Sequence, residues 1–424
     1  MIKFLFKGLI RDRSRSLFPT LTVVAGVTLT VIMYCWVKGT EIDLIRANAN
    51  FSTGHVKIMS RAYAQESDQI PNDLAYIGVE ELLGDLKKEF PDMKWTPRIR
   101  FGGLLDIPDA EGETRSQGPV VGLSIDFLSP QSPEPEILNL SDALLRGRLP
   151  QNPGEILISD ELAQRLNVKL NDIATLISST MYGSMSTYNF TVVGTIRFGI
   201  SAMDRGAMLA DISDIQRALD MDDAAGEILG FFRDDIYRNE LAEGIAAGFN
   251  DSYKEDEDQF APVMITLRNQ SGLAQTLDLS AYVSAALIGI FVIVMSIVLW
   301  NAGLMGSLRR YGEIGVRLAL GEDKGHIYRS MLAESLMIGF MGSMIGTGLG
   351  IGISYYLQIH GIDISSMLKN ASMMISDVLR ARVTPVSFMI GFIPGLMATI
   401  LGTSISGIGI YKRQTSQLAK ELEA

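Results

Sequence analysis

Histidine occurs at only three places in this 424-residue chain, His55, His326 and His360, and cysteine at one, Cys35. A zinc site or a Cys–His nucleophile needs such groups gathered within a few ångströms. Long apolar runs separate them here, and Cys35 lies inside one, so neither centre assembles and no internal disulfide forms. Gly321-Glu322-Asp323-Lys324-Gly325 is the nearest approach to a phosphate-cradling loop and lacks both its spacing and its hydroxyl. The acidic groups Asp222-Asp223, Asp234-Asp235 and Glu255 to Asp258 miss the alternating ligand spacing of a calcium loop and read as solvated charge. What remains is a segment suited to docking rather than to making bonds. Glu313 to Gly321 reads EIGVRLALG; at helical spacing Ile314, Leu318 and Ala319 share one face while Glu313 and Arg317 share another.

That segment lies in a short basic loop, residues 304–329, between two apolar runs long enough to cross a bilayer. Lys and Arg near membrane ends are retained on the cytoplasmic side, which orients the chain. Four spans follow, at residues 17–38, 281–303, 330–357 and 384–411. Residues 1–16 read as an interfacial amphipathic helix, with Phe4, Leu5 and Leu9 on one side and Lys3, Lys7 and Arg11 elsewhere. Tyr34 to Lys38 offers no small-residue cleavage site, so the first span reads as an uncleaved anchor. Gly342, Gly346 and Gly350 predict close helix approach in the third span, and Pro394 a kink in the fourth. A short outer loop at 358–383 and a tail at 412–424 complete a topology with both termini in the cytoplasm.

The chain is 47% hydrophobic and 20% charged, too apolar for an ordinary soluble protein and too charged to be membrane throughout. Its formal net charge is -11, with the acidic excess confined to the stretch between Lys38 and Ser280 and the remainder net basic. The acidic mass is therefore expected outside and nucleic acid is not an expected partner. Residues 39–280 contain no bilayer-length apolar run and read as an extracytoplasmic α+β domain. Gly54 to Met59, Val79 to Phe90 and Trp95 to Phe101 give strand, helix, strand; Glu227 to Phe232, Asp235 to Phe249 and Pro262 to Leu267 repeat that order. Residues 39–102 and 212–280 are thus expected to build one βαβ subdomain around a strand-rich insertion at 103–211, in which Ser179 to Ser186 is an exposed hairpin tip carrying Met181, Tyr182 and Met185. The fold class expected is an α/β membrane protein with four transmembrane helices and a large α+β domain between the first and second.

EIGVRLALG, the polar His326-Ile327-Tyr328-Arg329 after it and the glycine-rich span that follows resemble the signature of FtsX-like and MacB-like ABC transporter permeases. Asn152-Pro153-Gly154-Glu155 and Gly54-His55 resemble passages of that family's outer domain, the latter in its lipoprotein-releasing branch (LolC/LolE-like). The resemblance implies a non-catalytic type VII permease subunit in the inner membrane. Its coupling helix, through Glu313, Ile314, Arg317, Leu318 and Gly321, would dock on an ATPase subunit, present in two copies, that binds the ATP and Mg. It implies a second permease chain, identical or related, membrane lipids as ligands and a periplasmic lipoprotein carrier. In that branch acyl chains enter sideways between the first two spans, which here places Met33, Val37, Ile45, Ala285, Ile288 and Phe291 along a lipid cavity. A MacB-like transmitter driving efflux of peptides, toxins or antibiotics, and a regulator of a periplasmic hydrolase, remain alternatives with the same architecture.

Overall fold

The computed structural model describes residues 13–198, 201–270, 272–308, 311–363 and 378–412. Of the interfacial helix expected over residues 1–16, residues 1–12 fall outside them and residues 13–16 belong to the first long helix; the tail after 412 also falls outside. The chain divides into two compact units.

The first unit holds residues up to Ile42, Leu279–Ile362 and those from Val378. Among the described residues four helices are long and apolar enough to cross a membrane. They are α1 (Arg13–Asn48), and further along the chain a helix over Leu273–Leu308, one over Lys324–His360 and one over Phe392–Lys412. About 20 residues suffice for a span, so the first three run past any hydrocarbon layer. The glycine spacing of the Lys324–His360 helix explains its packing. A Cβ at Gly342, Gly346 or Gly350 would lie within 2.9 Å of Val23, Val27 or Val31, which recur every fourth residue of α1. The valines therefore seat on bare backbone, and Thr28 Oγ1 donates to the Gly346 carbonyl at 3.1 Å. In the last segment a short helix, Ser387–Ile390, is separated from Phe392–Lys412 at Gly391. Pro394 has no N–H to offer the Ile390 carbonyl, so the ladder breaks where the sequence predicts a kink. His326 to Arg329, expected in the loop before the third span, instead lie in the first turns of the Lys324–His360 helix, because Asp323 caps it by accepting from the Gly325 N–H at 2.9 Å.

The second unit contains Asp43–Asp278. Ten strands form one sheet: β1 (Val56–Ser60), β2 (Met93–Pro108), β3 (Thr114–Ile125), β4 (Leu144–Gly147), β5 (Glu155–Ser159), β6 (Ile173–Ser179), β7 (Met185–Ile196), β8 (Ala207–Asp211), β9 (Glu227–Phe232) and β10 (Pro262–Thr266). At one end β10, β1, β9 and the first part of β2 lie side by side, all antiparallel. Helix α2 (Val79–Glu89) joins β1 to β2 and α3 (Asn239–Ser252) joins β9 to β10, a split βαβ arrangement. At the other end β2 pairs with β3, β3 with β8, β8 with β5, β5 with β7, β7 with β6, and β6 again with β2. That ring of pairings closes the inserted lobe into a six-stranded barrel, and β4 pairs with β7 outside the ring. One apolar core, including Ile58, Trp95, Phe101, Leu105, Phe190 and Phe232, runs through both lobes.

Candidate functional site

Helix α4, following α1–α3 and the Leu273–Leu308 helix, spans Tyr311–Ala319 in the loop before the Lys324–His360 helix. Its end is a defined stop. Gly321 takes φ +89°, a left-handed conformation that favours glycine. Its N–H donates to the Leu318 carbonyl at 3.0 Å and the Glu322 N–H to the Arg317 carbonyl at 3.1 Å, the two bonds of a Schellman cap. One residue later Asp323 caps the next helix, so α4 is held by a turn with no slack.

Arg317 turns back on this cap. Its Nε and Nη2 donate to the two Glu322 carboxylate oxygens at 2.6 Å each. The Arg317 hydrogen bond holds the Glu322 carboxyl below the ordinary range, and His326 Nε2 lies 3.7 Å from the same carboxylate. Arg317 thus fastens the turn. Leu318 is half-buried, while Val316 is 52% and Leu320 82% exposed. Glu313 and Ile314 lie on α4, with only their backbone described. Among the described side chains of this segment Val316, Ala319 and Leu320 are the exposed apolar ones, where the sequence reading grouped Ile314, Leu318 and Ala319. The i, i+4 spacing of Val316 and Leu320 was the signal that could have found them.

Of the residues expected along a lipid cavity, Met33, Val37 and Phe291 are half-buried and Ala285 is exposed. Ile288 packs on the cluster of Val23, Val27, Val31 and Tyr34. Ile45 is not with them: α1 continues to Asn48, and Ile45 packs against Ala49, Ile137, Leu229, Phe231 and Leu267 in the second unit. The Leu273–Leu308 helix keeps much of its apolar surface open, with Leu287, Ile290, Ile293, Val294 and Ile297 exposed. At the hairpin tip Tyr182 and Met185 stand in solvent, whereas Met181 is buried and its N–H donates to the Leu219 carbonyl at 2.8 Å. Among the described residues no group of three His, Cys, Asp or Glu side chains is placed to hold a metal ion.

Residues 285–415, which hold α4 between long apolar helices, match the family described as FtsX-like permease C-terminal. That stretch is an FtsX-like permease domain. The domain includes α4 and three of the four candidate spans. The lipoprotein-releasing system transmembrane protein LolC of Xylella fastidiosa is 24% identical over 213 residues, 49% of each chain. LolC of Haemophilus influenzae is 22% identical over 242 residues, 56% of this chain and 57% of that one. The macrolide export ATP-binding/permease protein MacB of Psychrobacter cryohalolentis is 27% identical over 139 residues, 32% of this chain and 21% of that one. The chain spans about half the length of the LolC relatives it matches. The periplasmic region of MacB from Actinobacillus actinomycetemcomitans aligns with TM-score 0.36 and 12% identity, covering 55% of this chain and 95% of that one.

Proposed function

We propose that this chain is the non-catalytic permease subunit of an ABC transporter of the inner membrane, which releases lipoproteins from that membrane. A separate ATPase, binding ATP and Mg and present in two copies, docks on α4. The observation that carries this reading is α4 itself: a short helix inside the permease domain, locked by Gly321, Asp323 and the Arg317–Glu322 pair, and offering Val316 and Leu320 to a partner groove. Arg317, Leu318 and Gly321 shape the helix, and Glu313 and Ile314 belong to its docking surface. A second permease chain completes the assembly, and the second unit faces the periplasm, where a lipoprotein carrier receives the cargo. Met33, Val37, Ala285, Ile288 and Phe291 line the lateral entry for acyl chains. The similarity to LolC over about half of both chains favours lipoproteins as cargo. The shorter similarity to MacB supports a second reading, a MacB-like transmitter for efflux of peptides, toxins or antibiotics.

Leu320→Asp places a carboxylate in the docking surface without touching the cap bonds. It is expected to abolish ATPase co-purification while leaving the thermal stability of the permease unchanged; retained co-purification would remove α4 as the docking element. Mass spectrometry of the solubilised complex then separates the cargo readings. Acylated lipoproteins that are lost in Met33→Asp support release, and a periplasmic adaptor without lipoprotein supports the efflux reading.

A further inference from the structure

Strand β2 belongs to both lobes of the second unit, and Arg98 is where it passes from one to the other. Its pairing with β9 ends with Arg98 opposite Glu227, and the next residue, Ile99, pairs with Ser124 of β3 in the barrel. The Arg98 side chain is wholly buried, a costly place for a guanidinium unless its donors are met. Nε and Nη2 donate to Glu134 Oε1 and Oε2, each at 2.7 Å. Nη1 donates to the Asn50 carbonyl at 2.7 Å. Glu134 is equally buried, accepts from Thr96 Oγ1 at 2.8 Å, and begins the short helix Glu134–Ile137 of the inserted lobe.

Asn50 lies in the π-turn Ala49–Thr53 that continues α1, a distortion that recurs at functional sites. Its carbonyl is taken by Arg98, and its Nδ2 donates to the Ile137 carbonyl at 2.8 Å. Around these bonds Ala49, Ile137, Leu229, Phe231 and Leu267 form one apolar cluster, joined by Ile45 of α1 and by Leu277 near the start of the Leu273–Leu308 helix. The chain therefore enters and leaves the second unit against one cluster, and on the entry side Asn50 is bonded to Arg98 of the strand that joins the lobes. A pair buried for stability alone is replaceable by apolar side chains of similar volume. Such side chains cannot supply the bond to Asn50.

We propose that Arg98 and Glu134 are positioning residues for transport: they form the joint through which displacement of α1 changes the angle between the two lobes of the outer domain. This rests on the reading of the chain as an ATP-driven permease. The test uses the full chain with its ATPase in lipid nanodiscs and spin labels at Glu240→Cys on α3 and Glu111→Cys in the β2–β3 turn, in a Cys35→Ser background. Distances are read by double electron–electron resonance, without nucleotide and with ATP and vanadate.

Wild type is expected to show a nucleotide-dependent change. The double variant Arg98→Leu/Glu134→Leu is expected to hydrolyse ATP at the wild-type rate and to lose most of that change. If the double variant does not fold, Arg98→Lys serves in its place, since one ammonium cannot hold Glu134 and Asn50 together; a partial loss is then expected. A full change in the variant overturns the joint and leaves the transporter reading intact. Loss of ATP hydrolysis together with the change also overturns it, because the pair would then support the fold and not transmission. A wild type that hydrolyses no ATP and shows no change brings down the transporter reading and the joint with it.

Discussion

His55 shows how a residue type associated with chemistry serves packing instead. The ring is buried among Phe231, Phe232 and Tyr237, and its Nδ1 accepts from the Phe232 N–H at 3.0 Å. Burial pushes its pKa down from 6.5 to about 4, against the upward pull of Asp235 and Asp234. The folded chain therefore keeps the ring neutral where the unfolded chain protonates it. The stability this contributes is fully present above about pH 6.5 and is lost as pH falls towards 4, where the unfolded state binds the extra proton. A gap of that size corresponds to about 3 kcal/mol. His55→Asn keeps an oxygen for the Phe232 N–H and removes the titration. Thermal unfolding of the solubilised protein followed from neutral to mildly acidic pH should show wild type losing stability more steeply than His55→Asn. Parallel profiles would mean that the ring titrates normally in the fold.

The membrane helices make a sharper case, because glycines of the same helix differ in what faces them. A Cβ at Gly346 meets the Val24 carbonyl oxygen at 2.8 Å, and that neighbour is backbone and cannot turn aside. A Cβ at Gly348 meets nothing within 4 Å. Gly346→Ala is expected to force α1 away and destabilise the helix bundle by about 1–3 kcal/mol, the cost of overpacking. Gly348→Ala should be neutral or slightly stabilising, since Ala is the better helix former. Thermal denaturation in detergent distinguishes them, and equal losses would refute the face assignment. The glycine spacing was legible in the sequence; its partners Val23, Val27 and Val31 were not, since apolar residues recur on every side of such helices. Gly102-Gly103 had a similar effect on β2, whose strand pattern reads as ending at Phe101. The structure carries it to Pro108 because Gly103 lies where a Cβ would meet the Ile177 carbonyl of β6 at 2.8 Å. Barrel closure was hidden for the same reason, as it depends on register between strands far apart in the chain. On α4 the helix and its glycine stop were legible, but the exposed face depends on neighbours that spacing alone does not reveal.

At the scale of the molecule, an apolar helical unit and an acidic sheet-rich unit are joined by two long helices, and each has its own apolar core. Residues 43–278 should therefore fold when expressed alone, as a soluble domain with one cooperative unfolding transition, because the barrel closes on itself and the split βαβ lobe shares its core. A shorter piece, residues 54–278, keeps every strand but lacks Ile45, Ala49 and Asn50. Arg98 then loses its acceptor at Nη1, and the cluster around Leu229 and Phe231 loses its cover. Bonds to charged groups contribute about 1.5–3 kcal/mol each, and exposing the apolar cluster adds to the loss. Urea denaturation should accordingly give the shorter piece a lower midpoint with a similar slope, the deficit amounting to about 2 kcal/mol or more. Equal midpoints would show that the end of α1 rests on the domain without contributing to its stability. A deficit would show instead that the second unit is complete only with residues 43–53 in place, as the joint proposed above requires.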